Sequence, residues 1–452
     1  MARQVGISRR IFLRLGTAFG AGTLLAACAP SAPLTEVPTE QVPTAAAPAE
    51  EKVTIRWQDW SDWEPVMDTA MDIFESAMPN VTIEFEPLAE GFEDKTLAMM
   101  VAGTAPDVMT GWGEVFIKWA GPDQLLDLQP YVDTTYSQEE LADFHQWQWS
   151  EMVHPGSGIR FAMPMYVNAV FLFYDVEAFD QAGVAYPTAD MDHKDYAEML
   201  VQLMTKEDDK VTRWGGFVPY WFPRMQWHIQ AYGGHAVNPD DWTECMLDRP
   251  EAQDALEWLR ARMWDDNSMM QPLQIEDRGT ADLWTARLTA TMEEGMGMLG
   301  FIAEQTTFEW NLMHVPKGPA RRATLGTNDG WAAWKGTEHP DEAWQFLTAL
   351  VGDEFQMLMG EAWGGIPCRL SLLPGWKGQV QKFYPTLEAV DLDIVLDALE
   401  EGYQMVNESF KKQAESEVII DAALDKVFSV GDTPVSYFVE VAKQVTDLNR
   451  AG

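Results

Sequence analysis

Cysteine and basic residues are both scarce in this chain of 452 residues. Only 3 residues are cysteine, so neither a dense disulfide framework nor a CxxC-type metal site is available. The 31 Lys and Arg residues are outnumbered by 71 Asp and Glu residues, which gives a formal net charge of −40. Such an acidic chain repels phosphate backbones, and this excludes sequence-independent binding to nucleic acid.

Long apolar runs are also missing beyond the N-terminal segment. The most apolar later stretch, 161–174, contains Pro164 and Asn168, so it does not predict a membrane span. The N-terminal apolar run, 15–27, is itself short for a span and is interrupted by glycines. The sequence therefore favours a globular body outside the bilayer.

The N-terminal run has the pattern of a bacterial export signal. Arg9 and Arg10 precede a weakly apolar stretch, as in twin-arginine signals. The stretch ends in Leu25-Ala-Ala-Cys28, which resembles a lipoprotein cleavage site whose new N-terminal cysteine receives lipid. We therefore predict a signal peptide over 1–27, with lipidation at Cys28 that anchors the exported protein to the outer face of the cytoplasmic membrane.

The next segment, 28–51, predicts a linker. Five prolines are spaced among alanines and threonines, and no aromatic residue interrupts them. Such a composition gives an extended, partly stiff tether that cannot build a core.

The globular body begins with alternating strand and helix patterns. Strands are predicted at 53–57, 81–85 and 107–110, and helices at 64–78 and 92–102. This order predicts an α/β fold with a parallel sheet flanked by helices. Ligands of such sheets bind beyond the carboxyl ends of the strands, which here are loops 58–62 and 111–114. Both loops carry tryptophan.

Later segments are consistent with more α/β structure. Helices are predicted at 251–264 and 341–359, and short strands at 211–219 and 296–299. The chain from about residue 387 has mostly helical patterns.

Six segments in order resemble the extracellular solute-binding proteins of ABC importers, specifically the sugar-binding group related to maltose-binding protein. Glu294-Gly-Met-Gly-Met298 lacks the lysine usual at that point. The similar segments are 52–60, 79–85, 102–108, 163–175, 294–298 and 329–347.

The resemblance implies a two-lobed clamp of the type II periplasmic-binding-protein fold, with a sugar in the cleft between the lobes. Lobe one is expected at 53–168 plus 315–365, and lobe two at 169–314 plus 366–452. Hinge closure would present the loaded protein, expected to be a monomer, to the permease subunits of the importer. The family needs no cofactor and performs no chemistry.

Sugar recognition needs aromatic faces against the ring and polar groups at its edge. Tryptophans beside acids in the expected cleft loops meet both needs, and a core position remains the alternative for each aromatic residue. The predicted ligand-binding residues are Trp60, Asp62, Trp112, Glu114, Tyr166, Asn168, Trp221, Arg224, Asp329 and Trp331.

The sequence leaves some alternative functions open and disfavours others. A polyamine would suit the acidic charge, and a secreted carbohydrate-active enzyme would need two suitably spaced carboxylates. Gly295, Gly297 and Gly300 match GxGxxG, but a helix is expected before them and a strand inside, contrary to a dinucleotide fold. The seven histidines are scattered, so no metal site is predicted.

Overall fold

The computed structural model describes residues 52–89, 91–219, 221–275, 278–327, 329–405 and 408–451. The predicted signal peptide, linker and Cys28 lie outside the described residues. Within the described ranges, no helix has the length and apolar character needed to cross a bilayer.

The first sheet has the strand order β2-β1-β3-β13-β4. Its strands are β1 (Val53–Asp59), β2 (Val81–Pro87), β3 (Val108–Gly111), β4 (Met163–Pro164) and β13 (Gly330–Ala333). β1 pairs in parallel with β2 and β3, whereas β13 is antiparallel to β3 and β4. The three predicted N-terminal strands and their parallel pairing are confirmed.

Helices cover this sheet and enclose an aromatic core. They are α1 (Met67–Ala77), α2 (Phe92–Ala102), α3 (Gly113–Ala120), α4 (Gln129–Thr135), α5 (Gln138–Ala142), α6 (Gln146–Glu151), α14 (Pro340–Leu350) and α15 (Asp353–Ala362). Trp57 of β1 is fully buried against Phe74 and Phe346. The single helix predicted at 341–359 is two helices, because Gly352, the residue before α15, has an extended backbone.

The second sheet is built around one long strand. β5 (Tyr166–Asp175) is apolar and buried almost throughout, as expected of a strand covered on both faces. It pairs antiparallel with β10, β11, β12 and β14, and β12 continues the sheet to β15. These partners are β10 (Thr291–Gly295), β11 (Trp310–Met313), β12 (Thr324–Thr327), β14 (Ile366–Pro367) and β15 (Gln404–Met405).

Two hairpins and eleven helices complete this half of the described chain. The hairpins are β6 (Thr205–Glu207) with β7 (Lys210–Arg213), and β8 (Val237–Asn238) with β9 (Asp241–Cys245). The helices are α7 (Val176–Ala182), α8 (His193–Leu203), α9 (Phe222–Ala231), α10 (Pro250–Trp264), α11 (Pro272–Ile275), α12 (Thr280–Thr285), α13 (Leu299–Gln305), α16 (Leu373–Phe383), α17 (Asp393–Glu401), α18 (Gln413–Leu424) and α19 (Phe438–Arg450). The helical C-terminal region is confirmed.

Two predicted strands differ from the structure. The strand expected at 296–299 is wrong, because the strand is Thr291–Gly295 and a 3₁₀ turn, Met296–Met298, follows it. Its glutamates are buried, a placement that an apolar pattern does not predict. The strand expected at 211–219 ends at Arg213.

The two sheets have separate cores, so the described chain forms two α/β lobes. β12 pairs with β5 in the second sheet, and the next strand, β13, belongs to the first. We therefore propose that the second crossing between the lobes follows Thr327, rather than preceding residue 315 as the sequence suggested.

Cys245 and Cys368 are both free and buried, and they do not share a core. Cys245 packs in the core of the second lobe, and Cys368 in that of the first. Burial raises the pKa of the Cys245 thiol to about 12, and that of Cys368 also lies well above its usual range. Both thiols are therefore inert packing groups.

Candidate functional site

The loops after β1 and β3 form an aromatic wall on the first lobe. Trp60 follows β1 and is 38% exposed, and Trp112 precedes α3. The two indoles are stacked, with ring centroids 6.1 Å apart and an interplanar angle of 11°. Phe92 meets both edge-on at 5.7 Å and supports them from α2. The wall thus presents flat apolar surface at the carboxyl ends of two parallel strands, as predicted.

The second lobe contributes Trp221 and Arg224 from the start of α9. Trp221 is 44% exposed, and the Arg224 guanidinium lies 5.5 Å from the centre of its ring. Arg224 also forms an ion pair of 3.2 Å with Glu294, the penultimate residue of β10. The sequence did not single out Glu294 as a site residue, because its charge lay within a segment assigned to a helix.

Tyr166 and Asn168 lie where the chain first crosses between the lobes. The Asn168 side-chain amide donates to the Tyr166 hydroxyl at 3.3 Å, and its carbonyl accepts from the Gly297 N–H at 3.1 Å. A Cβ atom at Gly295 would stand 2.5 Å from the Asn168 amide oxygen. A side chain at position 295 would therefore displace the Asn168 amide from this position.

The elements around the GxGxxG match also differ from the expectation. The strand β10 ends at Gly295 and the helix α13 begins at Leu299, so the predicted helix–strand order is wrong. The glycines nevertheless have a packing role, since Gly297 also lies against the Tyr166 hydroxyl.

Asp329 and Trp331 occupy different environments although they are close in sequence. Burial raises the pKa of Asp329 to about 6, and its carboxylate accepts from the Thr327 hydroxyl. Trp331 is fully buried, and its indole N–H donates to Asp59 at 2.6 Å. The prediction that Trp331 contacts ligand is therefore corrected: as residue two of β13, it points into the core.

Two cavities bring most of the predicted residues together. The crossing cavity has a volume of about 460 Å³ and is lined by Trp60, Tyr166, Asn168, Arg224, Gly279, Thr280, Ala281, Glu294, Gly295, Gly297, Met298, Asp329 and Trp363. The acidic cavity, about 260 Å³, is lined by Glu93, Trp112, Glu114, Val115, Lys118, Trp221, Pro223, Gln413, Ala414, Glu417 and Asp421. Asp62 lies in the 3₁₀ turn Ser61–Val66, but its side chain is outside what the structure describes.

The two cavities adjoin at the aromatic residues. Trp60 of the crossing cavity stacks on Trp112 of the acidic cavity. The guanidinium of Arg224, in the crossing cavity, lies 5.5 Å from the ring centre of Trp221, in the acidic cavity. Together they form a cleft with indole faces from both lobes and polar groups between them. Such a surface can cover the faces of a ring and hydrogen-bond its edge.

Carboxylates from the two lobes meet in the acidic cavity. Glu114 of α3 and Glu417 of α18 both line it. Burial raises the pKa of Glu417 to about 7, and Glu114 and Asp421 contribute in the same direction. Sequence reasoning missed Glu417, because it lies in a helix remote in sequence from every predicted loop.

The fold is shared with several solved solute-binding proteins. A Listeria monocytogenes ABC substrate-binding protein in complex with cycloalternan has a TM-score of 0.77 and 20% identity, covering 88% of this chain and 99% of that chain. A Thermotoga lettingae solute-binding protein bound with α-D-tagatose has a TM-score of 0.71 and 15% identity over 88% and 99% of the two chains. UgpB of Mycobacterium tuberculosis, in complex with glycerophosphocholine, has a TM-score of 0.72 and 15% identity over 88% and 98%.

No curated protein matches the sequence significantly. A family model described as bacterial extracellular solute-binding protein matches residues 69–384, which is more than half of the chain. That range takes in both sheets' central strands and most of the cleft residues. The chain therefore belongs to the bacterial extracellular solute-binding protein family.

Proposed function

We propose that this protein captures a sugar or oligosaccharide in its interlobe cleft and delivers it to the permease subunits of an ABC importer. The observation that carries the proposal is the stacked pair Trp60–Trp112, together with Trp221 of the other lobe, which lines the same cavity as Trp112. Indole faces suit the C–H faces of sugar rings, while Asn168, Asp329 and the other polar groups suit hydroxyls. Bound cycloalternan and α-D-tagatose in two structural neighbours support the same ligand class.

The cleft serves binding rather than catalysis in this proposal. Glu114 and Glu417 share the acidic cavity with Trp112 and Trp221, where their carboxyl groups hold the edge of a ligand. The protein acts as a monomer outside the cytoplasm and needs no cofactor. Closure of the lobes around the ligand supplies the signal that the permease recognises.

A thermal-shift screen of residues 52–452 against sugars, polyamines, amino acids and glycerol phosphates tests the ligand class. A ligand that binds only the folded state raises the melting temperature by mass action, by an amount that grows with its concentration. We expect a sugar or oligosaccharide to give the largest shift and to be recovered chemically unchanged by chromatography. A largest shift with a non-sugar, or a cleaved sugar, would overturn the proposal.

A cationic ligand such as a polyamine is the second candidate, and the acidic cavity favours it. Glu93, Glu114, Glu417 and Asp421 line that cavity together with Trp112 and Trp221. Carboxylates and indole faces both attract organic cations. In the same screen, this candidate requires a polyamine shift that disappears in high salt, since screening weakens charge attraction.

We further propose that Cys28 carries the lipid anchor and that 28–51 tethers the binding domain to the membrane. Expression of the full chain in a bacterium fed a labelled fatty acid should label the wild type and place it in the membrane fraction. Cys28→Ser should abolish the label and release the protein, because it removes the acceptor thiol. Labelling of Cys28→Ser equal to that of the wild type would disprove the assignment, and Cys245→Ser serves as the matched control.

A further inference from the structure

Asp59, the last residue of β1, holds three N–H groups in the core of the first lobe. It is fully buried. One carboxylate oxygen, Oδ2, accepts from the indole of Trp331 at 2.6 Å and from that of Trp57 at 3.1 Å. The other, Oδ1, accepts from the backbone N–H of Trp60 at 2.7 Å. The sequence suggested loop acids as acceptors for sugar hydroxyls, but the burial of Asp59 keeps it from touching a ligand.

We propose that Asp59 is a positioning residue for ligand binding, which fixes the Trp60 loop against the core by accepting the Trp60 amide and two indole N–H groups. The inference rests on the proposed function only in that Trp60 contacts the ligand. Asp59 itself acts entirely through other residues.

The sheet order explains why one carboxylate reaches both loops of the aromatic wall. β3 lies between β1 and β13, so the bond from Asp59 to Trp331 spans β3. Trp331 pairs with Thr110, two residues before Trp112. The Asp59 carboxylate therefore connects the backbone at Trp60 to β13. β13 in turn pairs with β3, the strand that leads to Trp112. Without the hydrogen bonds to Asp59, the stacked pair Trp60–Trp112 loses this support.

The ionised form of Asp59 matches this arrangement, because an unprotonated carboxylate accepts all three donors. Burial raises its pKa to about 7, opposed by these hydrogen bonds. The Trp63 indole also lowers the pKa of Asp59. Its N–H nevertheless has no hydrogen-bond partner among the described residues. The largest contributions to the shift are burial and hydrogen bonds from tryptophans, and none of these comes from a charged side chain. Protonation of Asp59 at lower pH adds an O–H donor to a carboxyl group that already faces three N–H donors.

Binding and stability should consequently respond to pH with opposite signs. The folded-state pKa lies above the unfolded value near 4, so the folded state binds more protons between these values. Through Asp59, the free energy of unfolding rises as pH falls through 7. Ligand affinity falls over the same interval, because the protonated acid no longer holds the Trp60 amide. A purely structural role would move both quantities in the same direction.

The test is fluorine NMR of protein labelled with 5-fluorotryptophan, using single Trp→Phe substitutions to assign Trp57, Trp60 and Trp331. In the wild type without ligand, we expect the three signals to titrate together with a midpoint near pH 7. In Asp59→Asn they should be pH-independent, whereas Glu293→Gln, a control acid buried in the other lobe, should leave the titration unchanged. Independent midpoints, or no titration in the wild type, would overturn the proposal.

Affinity for the sugar found by screening gives the second readout. We expect Asp59→Asn to weaken binding by roughly tenfold or more, the equivalent of one lost hydrogen bond to a charged group, and to flatten its pH profile. If Asp59→Asn and the wild type had the same affinity and the same dependence of affinity on pH, the proposal would also be overturned. The fluorine titration needs neither a ligand nor the variant. It therefore stays decisive if Asp59→Asn does not fold, and it separates failure of this inference from failure of sugar binding.

Discussion

Trp60→Ala should weaken ligand binding by about 30-fold or more, the loss typical of removing a central aromatic contact. Trp60 lines the crossing cavity and its indole stacks on Trp112, so alanine removes one binding face and exposes the edge of the other. The measurement is isothermal titration with the ligand found by screening. Trp60→Phe should bind with intermediate affinity, because a smaller ring still covers part of the ligand.

The control for this prediction is Phe383→Ala. Phe383 is 40% exposed, similar to the 38% of Trp60, but it lies in α16 and lines neither cavity. This substitution should leave ligand affinity unchanged, although it removes an aromatic side chain of similar fractional exposure. If Trp60→Ala bound the ligand with wild-type affinity, Trp60 would not be part of the binding site. The main support for sugar binding would then be lost.

The second large effect concerns Glu293, which is buried in the second lobe. Its carboxylate lies 3.4 Å from the His228 imidazole, and burial raises its pKa to about 8. Burial also holds the pKa of His228 well below its usual range, so the imidazole is neutral near pH 7 and cannot compensate a negative charge. Glu293 is therefore protonated in the folded protein at neutral pH and ionised when unfolded.

The sign of the pH dependence follows from this difference. Because the folded state binds the extra proton, the free energy of unfolding falls as pH rises through 8. From pH 6.5 to 8.5 the loss due to Glu293 should be about 2 kcal/mol. Glu293→Gln keeps the shape without an ionisable proton, so the variant should lack this loss and be the more stable protein at pH 8.5.

Urea unfolding at several pH values measures this difference, because the midpoint and slope give the free energy at each pH. The difference between variant and wild type isolates Glu293 from Glu417, whose pKa of about 7 acts in the same direction. Parallel stability curves for the two proteins from pH 6.5 to 8.5 would contradict the assignment. Glu417→Gln should remove only a smaller loss, concentrated near pH 7, so it distinguishes the cleft carboxyl from the buried Glu293.

Local patterns predicted the elements whose residues repeat with one clear period. The alternation of 81–85 and the apolar residues of 92–102 correspond to β2 and α2. The same reasoning misplaced β10, because the buried Glu293 and Glu294 interrupt its apolar pattern. Their burial depends on Arg224 and His228 in α9, which are distant in sequence. Periodicity carries no information about such partners.

The sequence by itself determined the family, the α/β class and the loops that hold the cleft tryptophans, because these depend on residues close in the chain. Only the tertiary structure decided which side chains face the cleft. It buried Trp331 on Asp59, exposed Trp60 beside Trp112, and brought Glu417 into the same cavity as Glu114. The physical reason is that a side chain's burial and charge state depend on what packs against it across the sheet and between the lobes.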